Sequence, residues 1–507
     1  MSKYTVGVLG LDGLYEDYLT RMIESGYTPT LKHFLSHSYT YTLRALEPVP
    51  PLTSTSWTSI LTGVNPGKHG IPGFCDRNGK LVTAEQLEHP RISEVLAFNN
   101  EESVLINPIP DYPLYTINKC HMLSHGFFTA KPLCNSDLLR KYLKDAPSLD
   151  MKYLYHDCRV ITPLREFYEY YLHIVEDLVA SMKPTLLWLN IDHPDHYLHR
   201  CPKIILDYKG AKIHPDEASI MKIIDKIVRL FLDNFDFMVI VSDHGFSAYS
   251  KVVYINSFLR SKDYIKTTRN VERALVPPRF VEYADKHVIK VRVGHGVYRA
   301  IKALHLKGLL CKALKLLGKM NINVRVEKRI FIDRFRSKVY MPSKGYMGLV
   351  VKDRQLVDQV IRELKELEGI LLVKRNTEYA WGPYNSRLPD IVVMPNFFKG
   401  YIISDEVDRD TIVEDRFTVW HHPDGVFIIG PSQRLQEADM HPLEKGGFIQ
   451  PYTVTNTILP LLGIPISHIA DGVEDAKRIL GKNIEIKRQN YIAKWKIIKR
   501  IRGIRRA

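Results

Sequence analysis

Aspartates and histidines recur where apolar runs end. Asp12 follows Val6–Leu11, Asp192 follows Leu186–Ile191, and Asp243-His244 follows Val239–Ser242. His421-His422, just before Pro423-Asp424-Gly425, offers further imidazole. Carboxylate oxygen and imidazole nitrogen together suit zinc or manganese. Thr53-Ser54-Thr55-Ser56-Trp57-Thr58-Ser59 places a hydroxyl-rich turn in front of a short helical run. A helix N-terminus attracts phosphate through its free N–H groups and its dipole. A Thr there becomes a strong nucleophile only when a metal or base lowers its pKa. The combined reading is a nucleophilic Thr between two metal ions, which is chemistry for breaking a phosphoester.

Each segment has a plainer reading. Asp12 lies between Gly10-Leu11 and Gly13, where an Asp can simply serve a turn, although the glycines would let an ion approach closely. In Asp192-His193-Pro194-Asp195-His196-Tyr197-Leu198-His199, Asp192 and His196 are four apart and can meet one ion. His193, Asp195 and His199 rival them, and Asp195 could instead orient a ligating His from behind. The plain alternative is a solvated polar loop. Asp243-His244 at the end of a buried strand, followed by Gly245, has little structural excuse. His421 and His422 could be a surface pair, and any one hydroxyl near Thr53 could be a helix cap.

Strands must deliver these residues. Val6–Leu11, Thr185–Ile191, Phe237–Val241, Asp390–Met394 and Val426–Ile429 are apolar, and helical patterns follow at Asp17–Glu24 and around Ser219–Leu232. This alternation predicts an α/β fold, a three-layer α/β/α sandwich with a central, mostly parallel sheet. Ligands collect beyond the carboxyl ends of such strands, where the candidate residues fall. At 507 residues a single simple core is exceeded. The core is expected at residues 1–258 and 386–475, with an inserted α+β cap at 259–385 and a basic tail at 476–507. The cap would contain a basic helix at Ala300–Met320 and a periodic, charged run at Arg354–Glu368 between strand-like Tyr346–Val351 and Ile370–Val373. Caps commonly close over a site and choose the substrate.

The net charge of +15 is uneven: the tail holds twelve Lys or Arg against Glu485, leaving only +4 for the rest. Tyr491, Ile492, Trp495, Ile498 and Ile501 fall largely on one helical face with Lys and Arg around them. Such helices lie on anionic membranes or grip nucleic-acid phosphates, with the membrane surface favoured here and packing on the parent domain the plain alternative. Six scattered cysteines without a CxxC pair argue against a zinc ribbon and suggest no disulfide framework, which points to a reducing cytosol. No charged segment precedes an apolar leader, and no apolar run reaches the roughly 18 residues a spanning helix needs. The expected location is therefore cytoplasmic or peripheral to a membrane.

The ordered motifs resemble the alkaline phosphatase superfamily in its type I phosphodiesterase / nucleotide pyrophosphatase branch. The resemblance covers about Tyr4 to Asp471 and is carried by Thr53…Trp57-Thr58-Ser59…Thr62-Gly63…Pro66-Gly67-Lys68-His69-Gly70-Ile71 with the Asp and His segments. It implies that Thr53 is the nucleophile, counting back from Gly63; Thr55 stands where the family usually has Pro and is a rival. It implies one metal site of Asp192, His196 and His421, and a second of Asp12, Thr53, Asp243 and His244. His421 is preferred to His422 because the family's His-x-x-Asp-Gly spacing runs from it through Asp424-Gly425. The implied cofactors are two divalent ions, zinc by family habit, with Mn2+ also compatible. The family's phosphoryl-holding Asn has no clear counterpart in this stretch. Leu388-Pro389-Asp390-Ile391-Val392-Val393 and Pro451–Asp471 resemble later family segments.

The implied activity is metal-dependent hydrolysis of phosphodiester or pyrophosphate bonds, through a phospho-threonine, on a small-molecule or lipid-linked phosphoester. The competing readings are a phosphotransferase with an acceptor other than water, an inactive phosphate-ligand-binding protein on the same scaffold, and a nucleic-acid-binding role for the tail. Sulfatase chemistry needs a Cys or Ser modification motif, which is missing near Thr53.

Overall fold

The computed structural model describes residues 4–125, 131–149, 155, 157–268, 275, 288–293, 323–328, 331–432, 435, 447–481 and 484–506. The basic stretch at 300–320 lies outside the described residues. Strand β1 (Val6–Leu11) is buried at every residue, as expected for a strand covered on both faces. It lies between β6 (Leu186–Ile191) and β7 (Phe237–Val241) and is parallel to both. Beyond β6 the sheet continues through Ser103–Ile106 and Cys120–Ser124, also parallel. On the other side Asp424–Pro431 runs antiparallel to both β7 and Tyr39–Arg44. The sheet has nine strands among the described residues, and most are parallel.

Side chains alternate between the two faces of a strand. Leu9 and Leu11 accordingly pack with the Ile161–Ser181 and Pro215–Asn234 helices. Val6 and Val8 pack with the Thr53–Thr62, Ile92–Phe98, Thr453–Leu461 and Val473–Leu480 helices. The result is the expected three-layer α/β/α sandwich.

A second core forms under a four-stranded sheet that contains Gly348–Val351, Ile370–Arg375 and Ile391–Pro395. Asp390–Met394, which looks in sequence like the apolar strands of the main core, therefore belongs to this smaller sheet. The second core also takes in Tyr249–Leu259 and Phe397–Val407, extending past the expected boundaries at 259 and 385. Strand hydrophobicity alone does not say which sheet a strand joins.

Two further expectations change. Cys158 and Cys201 form a disulfide, so the cysteines do provide a cross-link and the argument for a reducing cytosol loses its premise. The tail forms a helix, Ile492–Arg506, but Tyr491 and Trp495 are fully buried against the parent domain. Trp495 Nε1 donates to Leu87 O at 3.1 Å, and Tyr491 Oη donates to Pro465 O at 2.9 Å. Most of the face expected to meet a membrane is thus used internally, Ile501 excepted. Among the described residues no helix is long and apolar enough to cross a membrane.

Candidate active site

The register that pairs Gly10 with Val241 sets Asp12 level with Asp243 just beyond the ends of β1 and β7. Asp12 Oδ2 accepts from Trp57 Nε1 at 2.9 Å, and Asp243 Oδ1 accepts from the Gly13 N–H at 3.3 Å. Each carboxylate keeps one buried oxygen, Asp12 Oδ1 and Asp243 Oδ2, with no hydrogen-bond partner. The glycines near Asp12 are tightly packed. A Cβ on Gly10 would lie 2.0 Å from Asn190 Oδ1, and Gly13, at φ +71°, sits against Asp195.

His244 follows on the same turn. Its Nδ1 lies 2.9 Å from Gly245 O; a carbonyl only accepts, so Nδ1 carries the proton. The lone pair of Nε2 then faces Asp243 Oδ2 at 3.1 Å, Asp12 Oδ1 at 3.6 Å and Thr53 Oγ1 at 3.2 Å. Burial, and next the neighbouring His421, hold His244 well below the usual imidazole pKa, so it is neutral. Burial and the mutual repulsion of Asp243, Asp195 and Asp192 push Asp12 well above the usual carboxylate range. Burial and Asp195 do the same to Asp243.

Thr53 is the first residue of the Thr53–Thr62 helix, which no side chain caps. Ser56 Oγ donates to Asp243 O at 2.6 Å, tying this helix turn to the strand end. Thr53 is 5% exposed, whereas Thr55 is fully buried. Of the two hydroxyls, Thr53 is the one that faces the Asp12–Asp243–His244 group.

A second group adjoins the first. Ligand atoms of Asp195, His199 and His421 lie within 4.8 Å of one another, as do those of Asp12, Asp243 and His244. His421 Nδ1 lies 3.0 Å from Pro51 O, which fixes its proton there and turns Nε2 inward. That Nε2 is 3.3 Å from Asp195 Oδ1 and 3.2 Å from His199 Nε2. Burial pushes the Asp195 carboxyl up, but His199 and His421 pull it further down, to well below its ordinary value. The rings of His244 and His421 stack at 3.7 Å, so the two groups share a wall. His422 turns away, its Nδ1 accepting from Asp424 N at 3.2 Å.

The expected pair Asp192 and His196 belongs to neither group. Asp192 Oδ1 accepts from Tyr168 Oη at 2.9 Å, on the Ile161–Ser181 helix, and His196 Nδ1 is 3.9 Å from Asp192 Oδ2. Asp195 and His199 have the same four-residue spacing, and the turn after β6 presents them to His421 instead. Spacing could not separate the two pairs. Trp57 belongs to the motif that carries the family resemblance, but nothing in the sequence marked it as the donor that holds Asp12.

The converging ring nitrogens of His244, His199 and His421 and the crowded, partly unpartnered carboxylates fit divalent cations. No curated protein matches this chain in sequence. Among solved structures, phosphonoacetate hydrolase from Sinorhizobium meliloti 1021 in complex with phosphonoacetate is similar, with a TM-score of 0.53 and 13% identity over 90% of this chain and 94% of that one. Murine ectonucleotide pyrophosphatase / phosphodiesterase 5 gives 0.50 and 12% over 94% and 99%. At such identities the likeness is one of fold. The sequence match is more direct: residues 6–397 fit the Type I phosphodiesterase / nucleotide pyrophosphatase family, and the chain, a phosphoester hydrolase, belongs to it.

Proposed function

We propose that this protein hydrolyses phosphodiester or pyrophosphate bonds with Thr53 as nucleophile and two divalent ions, zinc or Mn2+, as cofactors. The observation that carries this reading is Thr53 Oγ1, 3.2 Å from the inward Nε2 of His244 at an uncapped helix N-terminus. Asp12, Asp243, His244 and Thr53 would hold one ion. Asp195, His199 and His421 would hold the other, with Asp195 and His199 replacing Asp192 and His196 in that role. When bound, such ions lower the pKa of a coordinated hydroxyl and carry negative charge on a leaving oxygen.

The chain's own residues do the rest. The helix N-terminus favours the anionic phosphoryl group. Trp57 and Gly13 fix the two carboxylates, and Pro51 O and Gly245 O fix the imidazole tautomers. Thr53 Oγ1 attacks phosphorus, forming a phospho-threonine as the ester P–O bond breaks. Water then breaks the Oγ1–P bond and restores Thr53. The substrate class is a small-molecule or lipid-linked phosphoester.

The test is turnover of a nitrophenyl phosphodiester by the metal-loaded protein beside Thr53→Ala and Thr55→Ala. Loss with Thr53→Ala alone supports the reading. Turnover that survives Thr53→Ala rules out a threonine intermediate at this position.

A further inference from the structure

We propose that the Ile492–Arg506 helix seats this protein on an anionic lipid surface through the face opposite Trp495. Tyr491, Trp495 and Ile498 point inward, with Trp495 packed edge-on against Tyr115 at 5.5 Å. Lys494 and Lys499 also turn back, donating to Phe98 O at 3.2 Å and Leu87 O at 3.0 Å, and Lys499 pairs with Glu88. The helix is therefore a fixed part of the domain.

Its outer face has a different composition. Ile497 is 57% and Ile501 49% exposed, four residues apart and so one above the other. Lys496 and Arg500, both exposed, form the adjacent row at the same spacing and make no ion pair among the described residues. Isoleucines beside exposed cations match the acyl–headgroup boundary of an anionic bilayer. Nucleic acid would use the cations but has no use for the isoleucine row. Rigid attachment through Trp495 would hold the whole sandwich in one orientation on the lipid.

The experiment is sedimentation of the full chain with vesicles of phosphatidylglycerol and phosphatidylcholine, and with phosphatidylcholine alone. The expected result is binding to the first and not the second. Lys496→Glu and Arg500→Glu should each weaken it by roughly fivefold or more. Ile497→Ser with Ile501→Ser should abolish it at vesicle concentrations that retain the wild type. All of these positions are exposed, so melting temperature and turnover of a soluble phosphodiester should stay at wild-type values, which separates failure here from failure of the proposed chemistry. No binding to anionic vesicles, or binding indifferent to the isoleucine changes, overturns the proposal. RNA binding that falls steeply with salt and ignores the isoleucines would overturn it in favour of nucleic acid.

Discussion

The two metal-type groups share a wall but are built differently. Asp12, Asp243 and His244 follow the ends of β1 and β7, neighbours at the centre of the sheet whose register sets the two aspartates level. All three are essentially buried. Asp195 and His199 lie at and just after a four-residue helix, Asp195–Leu198, and meet His421 from the Val413–His422 strand, far along the chain. The first group is positioned by backbone pairing. The second depends on how a turn settles, and Cys201, two residues past His199, is cross-linked to Cys158, three residues before the long Ile161–Ser181 helix. A sheet can specify a site locally in sequence, whereas a turn needs external ties.

The sharpest test of the central group is Asp243→Asn, which leaves the strands intact but removes the charge of a proposed ligand. Turnover should fall roughly a thousandfold, beyond the 10–100-fold typical of outer partners, and bound metal by mass spectrometry should drop from two ions to one. Retention of both ions would show that the group is not a ligand set. On the turn, Asp195→Asn should cost roughly a hundredfold and Asp192→Asn under about tenfold; equal losses would mean that the turn rearranges when metal binds. Trp57→Phe removes the donor to Asp12 Oδ2 and should weaken metal binding about tenfold, read by competition with a chelating dye. The smallest effect on turnover, a few-fold, is expected from Cys158→Ser. That variant should lose about 3 kcal/mol of stability in denaturant titration, with metal affinity falling at the turn group and not at the central one. Equal weakening of both groups would erase the distinction.

The sequence by itself determined the α/β alternation, the strand ends at Asp12 and Asp243-His244, and the helical start at Thr53. Each depends on a short run of apolar or hydroxyl residues whose local conformation carries the side chains with it. Only the tertiary structure brings Asp195 and His199, rather than Asp192 and His196, beside His421, because both pairs have identical spacing and their neighbours, Tyr168 and His421, arrive from distant elements. The same holds for the membership of Asp390–Met394 in the smaller sheet, whereas His421 is preferred to His422 already by the spacing to Asp424-Gly425, and its contact with Pro51 O is in keeping with that. It holds as well for the Cys158–Cys201 bond and for the face of the terminal helix that Trp495 buries. In each of these the deciding partner lies many residues away, and composition and periodicity do not record it.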